Sequence, residues 1–217
     1  MKQLFAGFVV LALVASANAQ IHRGGDGSHS VREVWVDGVL QTGGPETGPV
    51  CLVPTNNIPS FGLLGDPQNI ILVVNVATCL GLPNGTPLAI NGLSWDVNIT
   101  AINPSWQDEN DAEVRAAGAG PFTGVFFSPG AGVGPGTGSY TSGGVLKYAD
   151  FGIPPTVLPL GLAEIEFAED IDNGIFDDFP GAPDGSWNSG FIGIQVPEPT
   201  TMALLGLGGL LLRKRAK

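Results

Sequence analysis

Leu93-Ser94-Trp95-Asp96-Val97-Asn98-Ile99-Thr100 alternates apolar and polar residues without a break. Successive side chains of a strand point to opposite faces, so Leu93, Trp95, Val97 and Ile99 would form a buried face and their four neighbours a wet one. A helix would scatter the same residues around its circumference. Working outward, the pattern recurs. Leu162 to Ala168 places Ile165 and Phe167 inward and Glu164 and Glu166 outward, and Phe191 to Val196 puts Ile192, Ile194 and Val196 on one face. Asn69 to Thr78 is apolar on both faces and rich in β-branched residues, which predicts a central strand covered on both sides. Weaker strand patterns run over 31–40, 121–128 and 141–151.

The 33 glycines and 18 prolines punctuate these runs, and no helical apolar period lasts beyond two turns. Many short strands between Gly/Pro turns predict an all-β fold, a single β-sandwich over residues 20–195. Pro129 to Gly144, PGAGVGPGTGSYTSGG, is expected to be a long surface loop of that sandwich; a linker between two lobes is the alternative.

The two ends read as addresses and not as fold. Residues 1–19 have a basic start at Lys2, an apolar run from Leu4 to Ala15, and small residues at Ala17 and Ala19. That order predicts a signal peptide cut by signal peptidase between Ala19 and Gln20, the run being well short of the roughly 20 residues that span a bilayer. Residues 196–217 read VPEPTTMALLGLGGLLLRKRAK. As a helix, the apolar stretch 200–212 would be about 20 Å long, against a hydrocarbon core of about 30 Å. Gly206, Gly208 and Gly209 weaken such a helix further. Transient membrane contact suits this segment better than lasting anchorage, with Arg213, Lys214 and Arg215 stopping it on the cytoplasmic side.

Val196-Pro197-Glu198-Pro199, the glycine-leucine run and the Arg-Lys-Arg end together resemble the PEP-CTERM sorting signal. The resemblance implies Pro197, Glu198 and Pro199 as recognition motif and exosortase, a membrane-embedded processing enzyme, as partner. It also implies delivery to the cell surface or extracellular matrix and an association with exopolysaccharide or biofilm. Prolines hold such a motif extended and strip it of N–H donors, which leaves it open to an enzyme beside the bilayer. An ordinary single-pass anchor is the alternative. A looser resemblance covers 160–196, where a strand, an acidic loop, Asp184-Gly185-Ser186-Trp187 and a closing strand are similar to the end of jelly-roll accessory domains of secreted bacterial proteins, including the P-type domain of proprotein convertases. Ser105-Trp106-Gln107-Asp108-Glu109 resembles a motif of some PEP-CTERM extracellular domains.

The formal net charge is -11. Without residues 1–19 and 200–217, which hold Lys2, Arg213, Lys214, Arg215 and Lys217, residues 20–199 set 4 basic against 20 acidic residues, a body near -16. Such a field repels nucleic acid. In an exported chain Cys51 and Cys79 are expected to form a disulfide. Residues 164–184 hold eight carboxylates and no Lys or Arg. Glu169, Asp170, Asp172, Asp177 and Asp178 are the candidate ligands of a hard cation such as Ca²⁺; a solvated acidic loop is the other reading. Gly174 stands where an EF-hand needs a ligand, so that motif fails. Asp108, Glu109, Asp111 and Glu113 read as a smaller acidic loop.

No catalytic residue is assigned. Trp95 and Trp187 are expected to pack, as is Trp106, sugar stacking being the alternative for the last two. His22 and His29 fall in the Gly/Ser-rich segment HRGGDGSHS, read as a tail that pre-organises no metal or triad. The expected function is therefore a non-enzymatic exported surface or matrix protein. A small secreted carbohydrate-active enzyme or carbohydrate-binding protein, using the acidic loops, is the rival.

Overall fold

The structure, a computed structural model, describes residues 29–31, 35–36, 39–40, 44–46, 48–130, 134–169 and 182–198. Eight strands carry the architecture: β1 (Val50–Pro54), β2 (Ile70–Asn75), β3 (Gly92–Ala101), β4 (Asn110–Ala116), β5 (Val125–Phe127), β6 (Gly136–Thr141), β7 (Leu162–Glu169) and β8 (Gly185–Gln195). They form two antiparallel sheets in the orders β6-β3-β8-β1 and β5-β4-β7-β2. Eight strands in these two orders make a jelly roll. Short pieces extend the sheets: Ile58–Ser60 pairs with β8, Leu146–Lys147 with β3, and His29–Val31 runs parallel to β5.

The alternation read from the sequence sets the inner faces. Leu93, Trp95, Val97, Ile99, Ile192 and Ile194 from one sheet meet Val114, Phe127, Ile165 and Phe167 from the other in one hydrophobic core. Four aromatic rings bridge the sheets at its centre. Trp95 stacks on Phe127 at 5.1 Å between centroids, and the Trp187 indole meets Phe127 and Phe167 edge-on at 6.2 and 5.0 Å. Each such pair contributes about 0.5–1.5 kcal/mol beyond its buried area.

Three expectations change. Asn69 to Thr78 is neither one strand nor central: β2 stops at Asn75, whose Oδ1 accepts from Thr78 N–H at 3.0 Å and caps a one-turn helix, Val76–Cys79. β2 lies at the edge of its sheet, leaving Ile71 and Val73 exposed. The supposed glycine-rich loop contributes β6, which pairs with β3 from Gly136↔Ala101 to Thr141↔Asp96. Small residues suit an edge strand whose neighbour already fills the core. The expected strand 141–151 shrinks to Leu146–Lys147 followed by a 3-10 turn, Tyr148–Phe151. Cys51 and Cys79 are joined, as expected, with Cα atoms 5.6 Å apart.

A fourth change concerns charge. Asp111 and Glu113, expected in a solvated loop, belong to β4, and Glu166, expected to face water, is 1 % exposed. Arg115 gathers the carboxylates on the outer face of the second sheet: its Nη1 donates to Glu113 Oε2 at 2.7 Å and Glu166 Oε2 at 2.6 Å, its Nε to Glu164 Oε2 at 3.2 Å. The oxygens also take backbone donors from two overlying loops. Gly65 N–H reaches Glu166, Gly124 N–H reaches Glu113 and Gly118 N–H reaches Glu164, at 2.5, 2.6 and 3.0 Å. Burial pulls the guanidinium pKa down, but the hydrogen bonds and charges of Glu166 and Glu113 outweigh it and the net shift is upward. A raised folded pKa contributes stability at every pH below the ordinary guanidinium value, lost only in strong alkali.

Two stability experiments follow from these contacts. Arg115→Met leaves buried carboxylates without their cation and should cost about 3–5 kcal/mol, read from the urea midpoint at neutral pH; an unchanged midpoint would mean the loops hold without it. The Cys51→Ser/Cys79→Ser double variant opens a loop of sequence separation 28. The chain-entropy account expects a loss of about 3–4 kcal/mol, and equal unfolding free energies for wild type and variant would refute it.

Candidate functional site

The carboxylates singled out for a cation do not assemble a site among the described residues. Asp170, Asp172, Asp177 and Asp178 lie outside those residues. Glu169 ends β7, 5 % exposed, and its Oε1 accepts a hydrogen bond from the Ser60 hydroxyl, which also lies 3.2 Å from Asn110 Oδ1. Gly185 closes this nook: a Cβ there would come within 2.1 Å of Asn110 Oδ1 and 2.4 Å of Glu169 Oε1. Asp184 is also buried, its carbonyl taking Ile102 N–H at 2.7 Å. Among the described residues no three His, Cys, Asp or Glu side chains are grouped to hold a metal ion.

The smaller acidic segment is structural as well. Glu109 Oε2 accepts from Trp106 N–H at 2.7 Å and caps the 3-10 turn Gln107–Glu109. Trp95 and Trp187 are core residues, and Trp106 is half-buried at the head of that turn. His22 and Asp26 lie outside the described residues, whereas His29 opens a strand, not a tail, and pairs with Val125.

The chain's exit from the sandwich is the more informative place. β8 lies between β3 and β1, and its last residue, Gln195, is in register with Gly92 on one side and Val50 on the other. One further backbone bond, Val196 N–H to Pro49 O at 3.1 Å, holds the lead-in. Gly48 runs alongside: a Cβ on it would come within 2.3 Å of Val196 O and 3.3 Å of Glu198 N, so only glycine lets the two backbones approach. Val196 is buried, Pro197 half-buried and Glu198 exposed. Pro197 has no N–H to continue the ladder. Glu198 is the last described residue of the tripeptide; Pro199 and the basic stop Arg213, Lys214 and Arg215 lie outside the described residues.

Beside this exit is an apolar groove of about 300 Å³, lined by Pro49, Leu80, Leu82, Pro87, Leu88 and Pro197 among others. The disulfide ties its wall to β1, since Cys79 immediately precedes Leu80. Leu82 N–H donates to Ala77 O at 2.9 Å and fixes the turn that follows. No sequence motif pointed to this groove. Its one signal was negative: residues 67–95 carry no charge in a chain of net charge -11. Among the described residues no helix is long and apolar enough to cross a membrane; the apolar stretch 200–212 and the cleavage residues Ala17, Ala19 and Gln20 lie outside them.

Residues 195–216 match the model of the PEP-CTERM protein-sorting motif. No curated protein and no solved structure matches the chain. The matched span begins at Gln195, the last residue of the strand that forms the middle of the sheet. The chain carries a PEP-CTERM protein-sorting motif, the mark of an exported protein that exosortase sorts through its C-terminal tail.

Proposed function

We propose that this jelly roll is a non-enzymatic cargo, delivered to the cell surface or extracellular matrix through its tail and associated there with exopolysaccharide. The observation that carries the reading is the junction itself. Pro197 follows the central strand by one residue, so the recognition motif begins where the chain leaves the sheet, with Pro197 half-buried and Glu198 exposed. Export begins, on this reading, with removal of residues 1–19 between Ala19 and Gln20.

The absence of catalysis is supported by how the described carboxylates are used. Glu113, Glu164 and Glu166 are saturated by Arg115 and backbone donors, and Glu169 is held by Ser60. A glycosidase needs two carboxyls flanking an open cleft about 5–9 Å apart, and a sugar platform needs an exposed aromatic face. Trp95 and Trp187 supply core instead. Among the described residues, Trp106 is only half-buried, and it is the one aromatic of the three weighed that leaves room for the carbohydrate-active rival.

The tail is tested by Glu198→Ala in a host that holds the exosortase. The wild-type chain should lose residues at its C-terminal end and leave the membrane fraction, while the variant stays at full mass and membrane-bound. Intact masses and fractions that coincide for the two forms would remove the sorting mechanism.

A further inference from the structure

The end of the sandwich that emits the tail is chemically unlike the rest of the body. Three stretches meet there: the groove wall 80–89, the turn after Thr156–Leu158, and the segment following β4. Val157 is in register with Ala89, and Gly161 packs so closely that a Cβ would meet Thr86 O at 2.5 Å and Ala77 Cβ at 2.7 Å. Val157 and Leu160 are 63 % and 62 % exposed beside the groove. The stretches 80–89, 117–124 and 156–163 carry no charged side chain at all. The charged residues that border this end are Glu46, Lys147, Asp150, Glu164 and Glu198, and Lys147 stands in register with Gly92, the partner of Gln195. A body near -16 is repelled by an anionic surface on most sides. Here it presents apolar side chains and few carboxylates.

Chain length fixes how near this end must come to lipid. From Pro197 to Thr200 is three residues, at most about 10 Å of extended chain. Each headgroup layer is about 5–8 Å thick. The apolar stretch 200–212 is itself short for a bilayer and draws its flanks inward. The groove therefore cannot stand clear of the interface once the tail is inserted.

We propose that this end face docks on the lipid bilayer, with Leu82, Val157 and Leu160 entering the interface. Docking sets Pro197, Glu198 and Pro199 at headgroup depth, where a membrane-embedded enzyme can reach them. The proposal rests on the reading that the tail enters a membrane, and adds that the folded body itself binds lipid.

The test uses the full-length chain in nanodiscs containing anionic lipid, with an environment-sensitive dye on Asn84→Cys in the groove wall or on Thr137→Cys, exposed on β6 toward the opposite end. Nitroxide-bearing lipids should quench the dye at residue 84 several-fold more than at 137. Val157→Glu/Leu160→Glu should abolish that difference without releasing the protein from the disc or changing its tryptophan near-ultraviolet signature. Equal, weak quenching at both positions with the protein still on the disc overturns docking and leaves the tail reading intact. Failure to remain on the disc overturns both. A residue-84 dye shielded from iodide yet untouched by nitroxide lipid would assign the groove to the tail or a second copy, and overturn the lipid assignment.

Discussion

The strand that leads into the sorting motif is bonded on both sides, and the rest of the molecule is arranged around that constraint. β8 pairs with β3 along nearly its whole length and with β1 and Ile58–Ser60 on its other edge. An edge strand could peel away one bond at a time; a strand in this position moves only if the sheet parts. Its sequence meets the crowding. Gly190 has φ +114 and faces Asp96 O, where a Cβ would lie 2.1 Å away, and Gly193 leaves room for Ser94 Oγ. The bulge between Trp187 and Ser189 turns the Asn188 amide onto Asn98 Oδ1 and Thr100 Oγ1, both at 2.8 Å. Tension on the tail is therefore carried by the whole ladder and by the Trp187 ring buried against Phe127 and Phe167.

The two sheets solve the problem of their outer faces differently. The first leaves Asp96, Asn98 and Thr100 toward water, as alternation predicts. The second covers its outer face with loops over β4 and β7 and leaves it open at β2, and the carboxylates beneath those loops must be satisfied in a dry place. Burying a charge is costly unless it is paired and hydrogen-bonded. One guanidinium serves three carboxylates because backbone N–H groups of Gly65, Gly118, Phe122 and Gly124 supply the remaining donors. The acidity of this protein is partly internal, and its formal charge overstates what a partner would meet on that face.

The same difference explains which parts were legible in the sequence. β3 was readable because one face is apolar and the other carries Asp96, Asn98 and Thr100 toward water, and the second half of β8 because Ile192, Ile194 and Val196 alternate with glycine and glutamine, although Gly193 and Gln195 are buried as well. β4, Asn110-Asp111-Ala112-Glu113-Val114-Arg115-Ala116, alternates just as strictly, with Ala112 and Val114 fully buried. Its acidic residues disguised it, because the cation that pairs with Glu113 is two residues away on the same strand and the covering loops come from elsewhere. The signal available was Arg115 itself, one of few basic residues in the body. β2 misled in the opposite sense: Ile71 and Val73 suggested cover that the fold does not supply. β6 escaped because glycine and serine carry no period. The tail was legible for another reason. Its chemistry is local, an ordered series of proline, acid, grease and base, whereas the groove beside it depends on loops brought together by a disulfide and by tertiary register.

Charge is also what separates the two ends of the molecule. Of the described carboxylates, Asp111, Glu113, Glu164, Glu166 and Glu169 lie on β4 and β7, while the stretches 80–89 and 156–161 beside the exit carry no charged residue. If aggregation resistance were the sole demand, an exposed pair such as Val157 and Leu160 would be a liability, since exposed apolar patches attract one another. Placing them at the end of the sandwich that emits a membrane-directed tail turns the liability into orientation: before processing they face the surface that the tail enters. Cleavage at the motif would also remove Arg213, Lys214, Arg215 and Lys217, leaving the body more acidic than the chain that arrived. A body that loses its cations in the step that frees it has less reason to return to an anionic surface. Release and repulsion are then one event.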